Sequence, residues 1–487
     1  MSDLDRLALG VLLPGFAGPE VSPDVGALLE QGLAGVCLFG SNTSTGPDAA
    51  AAYAASVRAV SPEVVLAVDE EGGDVTRLHA HEGSPVLGAA ALGRVDDVSL
   101  TEATAQQIGA ELAAAGITLV LGPVADVNSN PDNPVIGVRS FGADPSLVAR
   151  HVAAAVAGFR AAGIDACAKH FPGHGDTDED SHLGLPRIDG SLDDLRAREL
   201  LPFAAALEAA VAAVMTSHLL VSSVDASAPA TLSPSVLGLL REELGFDGVV
   251  VSDALDMAGA SAGRGIPAAA VAALVAGCDL LCLGADLDPA LVRAVRDGIV
   301  EAVRQGALPE ERLAEAAERV RRLARPAPGT GTGAPVGAPV GAPVDPLRQL
   351  AGARLALEIE GPLPSLQNAL LARVETTPSI AVGAVPWGLP AELVVDPAHP
   401  SLVADPSLVA ALLDASAARP VVLQVRDGHR HEVVRSLLER LPENAVVIDY
   451  GWPAARTSAH PRICTFGASR PSRDAVAEVL RERGWTG

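Results

Sequence analysis

From residue 8 to about 285 the chain alternates short runs of β-branched and other apolar residues with Ala- and Leu-rich segments of helical period. A polar or glycine-containing turn separates the two each time. Eight such runs occur: LGVLLPGF from Leu9, AGVCLFG from Ala34, VVLAVDE from Val64, ITLVLGPV from Ile117, DACAKHF from Asp165, AAVMTSHL from Ala212, GVVVSDAL from Gly248 and DLLCLGA from Asp279. Strands that are continuously apolar, each followed by an amphipathic helix, predict a parallel sheet covered by helices. Eight repeats in this length predict a closed (β/α)8 TIM-type barrel over residues 1–325, with an open doubly wound sheet as the structural alternative.

The pattern then changes. Residues 309–325, PEERLAEAAERVRRLAR, read as a charged helix with acidic residues first and arginines last, a solvated face in accord with the helix dipole. Residues 326–346 contain three GAPV copies and nothing to nucleate a helix or fill a core, so they read as an extended linker. Beyond it, residues 347–487 return to strand-like runs (SIAVGAV, PVVLQV, AVVIDYG, RICTFG) with helical segments between them, enough for a smaller α/β sandwich domain. The RDGHRH stretch there, with His429, Arg430 and His431, reads as a solvated turn before a helix.

Composition narrows the classes. With 35 Lys+Arg against 60 Asp+Glu, the net charge of −25 argues against nucleic acid, which is held by basic patches that release counterions. No apolar stretch of membrane-spanning length is free of polar breaks, and the N-terminus carries acidic residues where an export signal would be positive. The five cysteines are odd in number and mostly sit in apolar runs, as reduced buried thiols would, so a cytoplasmic address is expected. Of the 35 basic residues only one, Lys169, is lysine, and it stands in a His- and Gly-rich stretch.

Asp69, Arg77, Lys169, His170, His218 and Asp253 all follow an apolar strand, which in a barrel is the active face. The densest polar stretch, KHFPGHGDTDEDSH from Lys169 to His182, must be a loop because Pro172, Gly173 and Gly175 prevent a helix. In an extended segment Asp180 and His182 point to the same side, and a carboxylate beside an imidazole supports a general acid/base working near neutrality. Asp253, at the end of the seventh run, delivers a second carboxylate to the mouth, while Asp256, one helical turn further on, could instead cap a helix. A carboxylate facing an acid/base across a sugar-sized gap is the arrangement of a retaining glycosidase.

KHFPGHGDTDEDSH, NPVIGVRSFG from Asn133, AVDEEGGDVTRL from Ala67, LFGSN after the second run and VVVSDALDM from Val250 together resemble glycoside hydrolase family 3, in its bacterial β-N-acetylglucosaminidase branch of two-domain type. The resemblance covers about residues 8–325, with five motifs in order. It implies Asp253 as nucleophile, His182 as acid/base and Asp180 as its partner. It also implies Asp69, Arg77, Arg139, Lys169 and His170 as sugar-binding residues, and no cofactor or metal. The activity it implies is exo-acting hydrolysis of terminal β-linked N-acetylglucosamine from small amino-sugar saccharides, in cell-wall recycling or the handling of imported oligosaccharides.

Two positions depart from the family pattern: Glu70 stands where Gln is usual, and Asp74 where Arg is frequent, both expected to make the mouth more acidic. An imidazole acid/base would not repel phosphate as a carboxylate would, so a β-N-acetylglucosaminide or β-glucoside phosphorylase, with phosphate replacing water, is the alternative. A metal-dependent amidohydrolase using His79, His81, Lys169, His218 and Asp253 is the remote one, because its histidine pair falls well past the third run. The barrel region has no Trp for a long sugar-stacking groove, so a short pocket acting on chain ends is expected.

Overall fold

The computed structural model describes residues 2–43, 45–179, 184–261, 263–324, 345–376, 379–396, 406–455 and 458–487. All eight apolar runs form strands: β1 (Leu12–Pro14), β2 (Gly35–Leu38), β3 (Val65–Val68), β4 (Leu119–Val120), β5 (Asp165–Phe171), β6 (Ala213–Thr216), β7 (Val249–Ser252) and β8 (Leu280–Gly284). Their spatial order is β1-β8-β7-β6-β5-β4-β3-β2, with every neighbouring pair parallel. The two ends of that order meet, because the Ala34 N–H before β2 donates to the Leu9 carbonyl before β1 at 3.0 Å. The sheet is a barrel, as the repeat predicts.

Both faces of each strand are buried, which is why the runs are apolar throughout rather than alternating. On β3, Val65 and Ala67 point into the barrel beside Leu13, Cys37, Leu119, Cys167 and Val251. Leu66 and Val68 point outward beneath the helices. The interior is therefore packed solid and not a pore. Helix Glu310–Leu323 plugs its lower end with Val320 and Leu323.

That helix corrects one expectation. Arg321 and Arg322 are solvated, but Arg312 and Arg319 turn inward to the fully buried carboxylate of Asp279, at 2.7 and 3.3 Å, where Arg241 also converges. A buried carboxylate at the foot of β8 requires cationic partners, and this helix supplies two of the three.

The second domain is built on β9 (Glu358–Glu360), β10 (Leu370–Val374), β11 (Leu393–Val395), β12 (Val421–Val425), β13 (Val446–Asp449) and β14 (Arg462–Cys464). Their order is β9-β14-β13-β12-β10-β11, parallel except for β9. Alternate residues feed two cores: Leu371, Val422 and Ile448 on one face, and Ala372, Leu423 and Val447 on the other. Helix Arg470–Glu482 covers the first face, and helices Pro406–Ser416 and Glu432–Leu438 the second. SIAVGAV, expected as a strand, is instead a turn-containing loop after β10, and the strand lies just before it in LLARV. The GAPV-rich stretch, with residues 325–344, lies outside the described residues.

The two domains are in direct contact. The RDGHRH turn is not solvated, since Arg430 donates to the carbonyls of Asn133 and Pro131 on the barrel. Gln349 accepts from the Leu87 N–H at 2.9 Å and donates to Thr104 at 2.8 Å. Asp74 is buried against the second domain, accepting from the Ala468 N–H at 2.7 Å.

Asp279→Ala should cost about 3 to 5 kcal/mol of stability by leaving buried arginines without their partner. Glu315→Ala, which removes a half-exposed carboxylate from the same helix, should cost under about 1 kcal/mol. Denaturant unfolding of the two variants side by side checks the contrast.

Candidate active site

The carboxyl ends of the barrel strands surround a cavity of about 270 Å³. Asp69, Arg77, Arg139, Lys169, His170 and Asp253, six of the residues named from the sequence, line it together. Asp180 and His182 lie outside the described residues. Asp253 directly follows β7 and accepts from the Ala254 N–H at 2.8 Å. Asp256 does not line the cavity; its carboxyl packs on Gly284 at the end of β8, where φ is +113° and any Cβ would fall within about 2.5 Å of it.

The floor of the mouth is a network of buried charges. The Lys169 ammonium lies 2.6 Å from Asp69 and 2.7 Å from Glu71. Glu71 also takes a two-pronged contact from the Arg139 guanidinium, at 2.8 and 3.0 Å. Burial opposes charge on Glu71, but Arg139 and Lys169 outweigh it and hold the carboxyl well below its ordinary value. Burial likewise disfavours the Lys169 ammonium, and the Asp69 and Glu71 carboxylates outweigh it and hold its pKa up. A lone lysine kept in an arginine-rich chain is a compact ammonium between two carboxylates, a space that suits a point charge better than a planar fork.

Arg139 reaches this network from the NPVIGVRSFG motif, and Asn133 shapes that loop. Its side-chain oxygen accepts from the Val135 and Ile136 N–H groups, and its amide donates to the His174 carbonyl at 2.8 Å. Asp126 was not singled out in the sequence. It is fully buried after β4, accepts from His170 Nδ1 at 2.8 Å, and also takes the His170 and His174 backbone N–H groups. That bond leaves His170 Nε2 facing Arg139 and the cavity. Strict strand alternation would put Lys169 and His170 on opposite faces. The pairing of β5 with β6 shifts register between Ala168 and Phe171, and both side chains line one cavity.

Glu70 and Asp74 do not acidify the mouth, which corrects the expectation drawn from them, since neither lines the cavity. Glu70 is buried and accepts from the Arg77 and Leu78 N–H groups at 2.7 and 2.9 Å, fixing the backbone that carries Arg77. The glutamate that does face the cavity, with Asp69 and Asp253, is Glu71, which the sequence reading passed over. The second domain also contributes: Ile380 and Ala381 line the rim, and Arg77 donates to the Ala381 carbonyl at 2.7 Å.

The histidines of the metal-dependent alternative are not assembled. His79 bonds to Glu82 and Glu111 away from the cavity, and His218 bonds to Thr231 and the Ala254 carbonyl. Among the described residues, no group of three His, Cys, Asp or Glu side chains is placed to hold a metal ion.

A family model, the glycosyl hydrolase family 3 N-terminal domain, matches residues 21–323. The chain belongs to glycosyl hydrolase family 3. Among relatives in this family, it is 43% identical over 213 residues to beta-hexosaminidase A of Pseudoalteromonas piscicida, an alignment covering 40% of this chain and 36% of that protein. It is 35% identical over 338 residues to beta-hexosaminidase LpqI of Mycobacterium tuberculosis, covering 68% of this chain and 85% of that protein. The structure of a family 3 beta-N-acetylglucosaminidase from Paenibacillus sp. str. FPU-7 superposes with a TM-score of 0.87 at 30% identity, covering 99% of this chain and 97% of the other. The likeness to that family 3 structure thus extends through the second domain. No helix among the described residues is long and apolar enough to cross a membrane.

Glu71→Gln should destabilise the protein by about 3 to 5 kcal/mol, because Lys169 and Arg139 lose their shared counter-charge. Glu71 is held ionised below its ordinary 4.5 and Lys169 charged above its ordinary 10.5. The Glu71 contribution is therefore complete above 4.5 and fades only as pH falls towards the folded value. The Lys169 contribution is complete below 10.5 and fades only above it. The difference between wild type and variant should be flat across that window in thermal melts.

Glu199 behaves oppositely. Burial, against the pull of Arg198, pushes its carboxyl up to about 7, and it sits against Gly173 in the loop after β5. Folding therefore favours the protonated form, and stability falls as pH rises from 4.5 through about 7, then levels. Glu199→Gln should lack that slope and gain stability relative to wild type across the same range.

Proposed function

We propose that this family 3 enzyme is a retaining, exo-acting β-N-acetylglucosaminidase that releases terminal β-linked N-acetylglucosamine from small amino-sugar oligosaccharides. The observation that carries the reading is the placement of Asp253 at the end of β7, in a cavity of about 270 Å³ whose floor is the Asp69–Lys169–Glu71–Arg139 network. A pocket of that volume, at the small end for small-molecule sites, suits one sugar unit rather than a groove along a polymer. The relatives named as beta-hexosaminidases and the beta-N-acetylglucosaminidase structure support the choice of sugar.

In this reading an Asp253 carboxylate oxygen attacks the anomeric carbon while the bond to the leaving oxygen breaks, and His182 gives that oxygen its proton. His182, with Asp180 as the partner the family resemblance implies, then removes a proton from water as the water oxygen displaces Asp253 and releases the free sugar. Asp69, Lys169, Arg139, Arg77 and His170 hold the ring hydroxyls and the substituent on the sugar. Fixed donors and acceptors of this kind keep the anomeric carbon in line with Asp253 through both steps. The five cysteines are buried free thiols, which supports a cytoplasmic enzyme working in the recycling of cell-wall amino sugars.

The test is cleavage of p-nitrophenyl β-N-acetylglucosaminide and of the matching β-glucoside, with and without phosphate, following nitrophenol and sugar 1-phosphate. Free N-acetylglucosamine from the first substrate is the expected product, and sugar 1-phosphate would instead assign a phosphorylase. Asp253→Ala should abolish turnover. His182→Ala should spare the nitrophenyl substrate, whose leaving group needs no proton, far more than a natural disaccharide. An equal loss on both would count against His182 as the acid.

A further inference from the structure

The second domain carries a cavity that the glycosidase reading does not use. Its strand order, β11-β10-β12-β13-β14, is that of a doubly wound sheet in which the chain turns one way from β10 to β11 and the other way to β12. In such sheets the crevice beyond the carboxyl ends of the strands, at the point of reversal, is where ligands bind. A cavity of about 440 Å³ lies there. Its walls include Glu375 and Thr376 after β10, Asp396 after β11 and Arg426 after β12, and Trp387 belongs to the loop that borders it.

Two polar groups in that wall are more than nine-tenths buried and make no hydrogen bond among the described residues. Arg426 makes no hydrogen bond among the described residues; its Nε forms a loose ion pair with the buried Asp74 at 3.6 Å, and its guanidinium stacks 5.0 Å from the centre of the Trp387 ring. The Thr376 hydroxyl is likewise buried, with no hydrogen-bond partner among the described residues. Leaving buried donors unsatisfied is costly, and an incoming oxygen acceptor would recover that cost. Of the two carboxylates in the wall, Glu375 is engaged by Arg373 at 2.6 Å and by the Trp387 indole N–H at 3.0 Å. Asp396 is exposed at the rim. The lining thus holds a stacked guanidinium, only loosely paired with Asp74, and a hydroxyl with its hydrogen bond unmade, two groups that an oxyanion would engage.

We propose that this crevice binds the phosphate group of a small metabolite, either free phosphate or a phosphate monoester of monosaccharide size, through Arg426 and Thr376. The site communicates with the catalytic cavity by two short routes. The loop that borders it at Gly383–Trp387 begins with Ile380 and Ala381, which line the catalytic rim and hold Arg77. Arg426 also faces Asp74, three residues before Arg77, so an anion on Arg426 competes with that carboxylate. Occupancy therefore changes KM for the saccharide, and by linkage the saccharide changes affinity for the anion by the same factor as the anion changes its binding.

The test is calorimetric titration of the full chain with inorganic phosphate, glucose 6-phosphate and acetate, each repeated with excess N-acetylglucosamine. Saturable binding of a phosphate probe is expected, weakened at least tenfold in Thr376→Val and lost in Arg426→Met, both checked for native circular dichroism. Tighter binding of the ester would identify a sugar phosphate as the ligand, and equal binding would identify free phosphate. A bounded change of anion affinity that levels off once N-acetylglucosamine is saturating is the expected coupling. The proposal is overturned by absence of saturable binding at millimolar concentration, by binding undiminished in Thr376→Val, by binding of acetate alone, or by anion affinity that keeps falling in proportion to N-acetylglucosamine, which would place the anion in the catalytic cavity.

Discussion

Everything at the barrel mouth depends on one buried carboxylate, Glu71. It accepts from the Lys169 ammonium and from both prongs of the Arg139 guanidinium, and all three groups are almost fully excluded from water. Two cations and an anion cannot be buried separately at tolerable cost, so each fixes the position of the others. The chain segments that carry them, after β3, within β5 and after β4, are thereby locked together at the face where β7 presents Asp253. Asp69 then meets an ammonium whose position is already set. Asp126 does the same for His170, whose imidazole is held by one nitrogen and turns the other towards Arg139 and the cavity.

The second domain is part of this arrangement rather than an attachment. Arg77 is fixed from three sides: its N–H by Glu70, its carbonyl by Thr43, and its guanidinium by the Ala381 carbonyl of the other domain. Asp74, a few residues away, is buried at the domain contact and takes the Ala468 N–H. Both acidic departures from the family pattern thus act as backbone anchors and domain contacts. Charge read along a sequence does not say which way a side chain faces, and these two face away from the substrate cavity.

The barrel was legible because its strands are buried on both faces, which leaves an apolar run, a turn and a helical segment as a repeated signature. The second domain was less so. LLARV carries a charged residue and was passed over, while SIAVGAV has the composition of a strand but forms the loop that reaches the catalytic rim. The arginines of helix Glu310–Leu323 divide between solvent and Asp279, a distinction that needs the foot of β8 to be in place.

The sequence by itself determined the eight-strand repeat, the order of the family motifs and the placement of Asp69, Lys169 and Asp253 at strand ends, because periodicity and motif spacing are local properties of the chain. Only the tertiary structure decided that Glu71 rather than Glu70 faces the cavity, that Asp126 orients His170, and that Lys169 and His170 share one face. Those outcomes rest on a register shift between strands and on the requirement that buried charges find partners. Such partners are brought together from tens to hundreds of residues apart, beyond the reach of any local pattern.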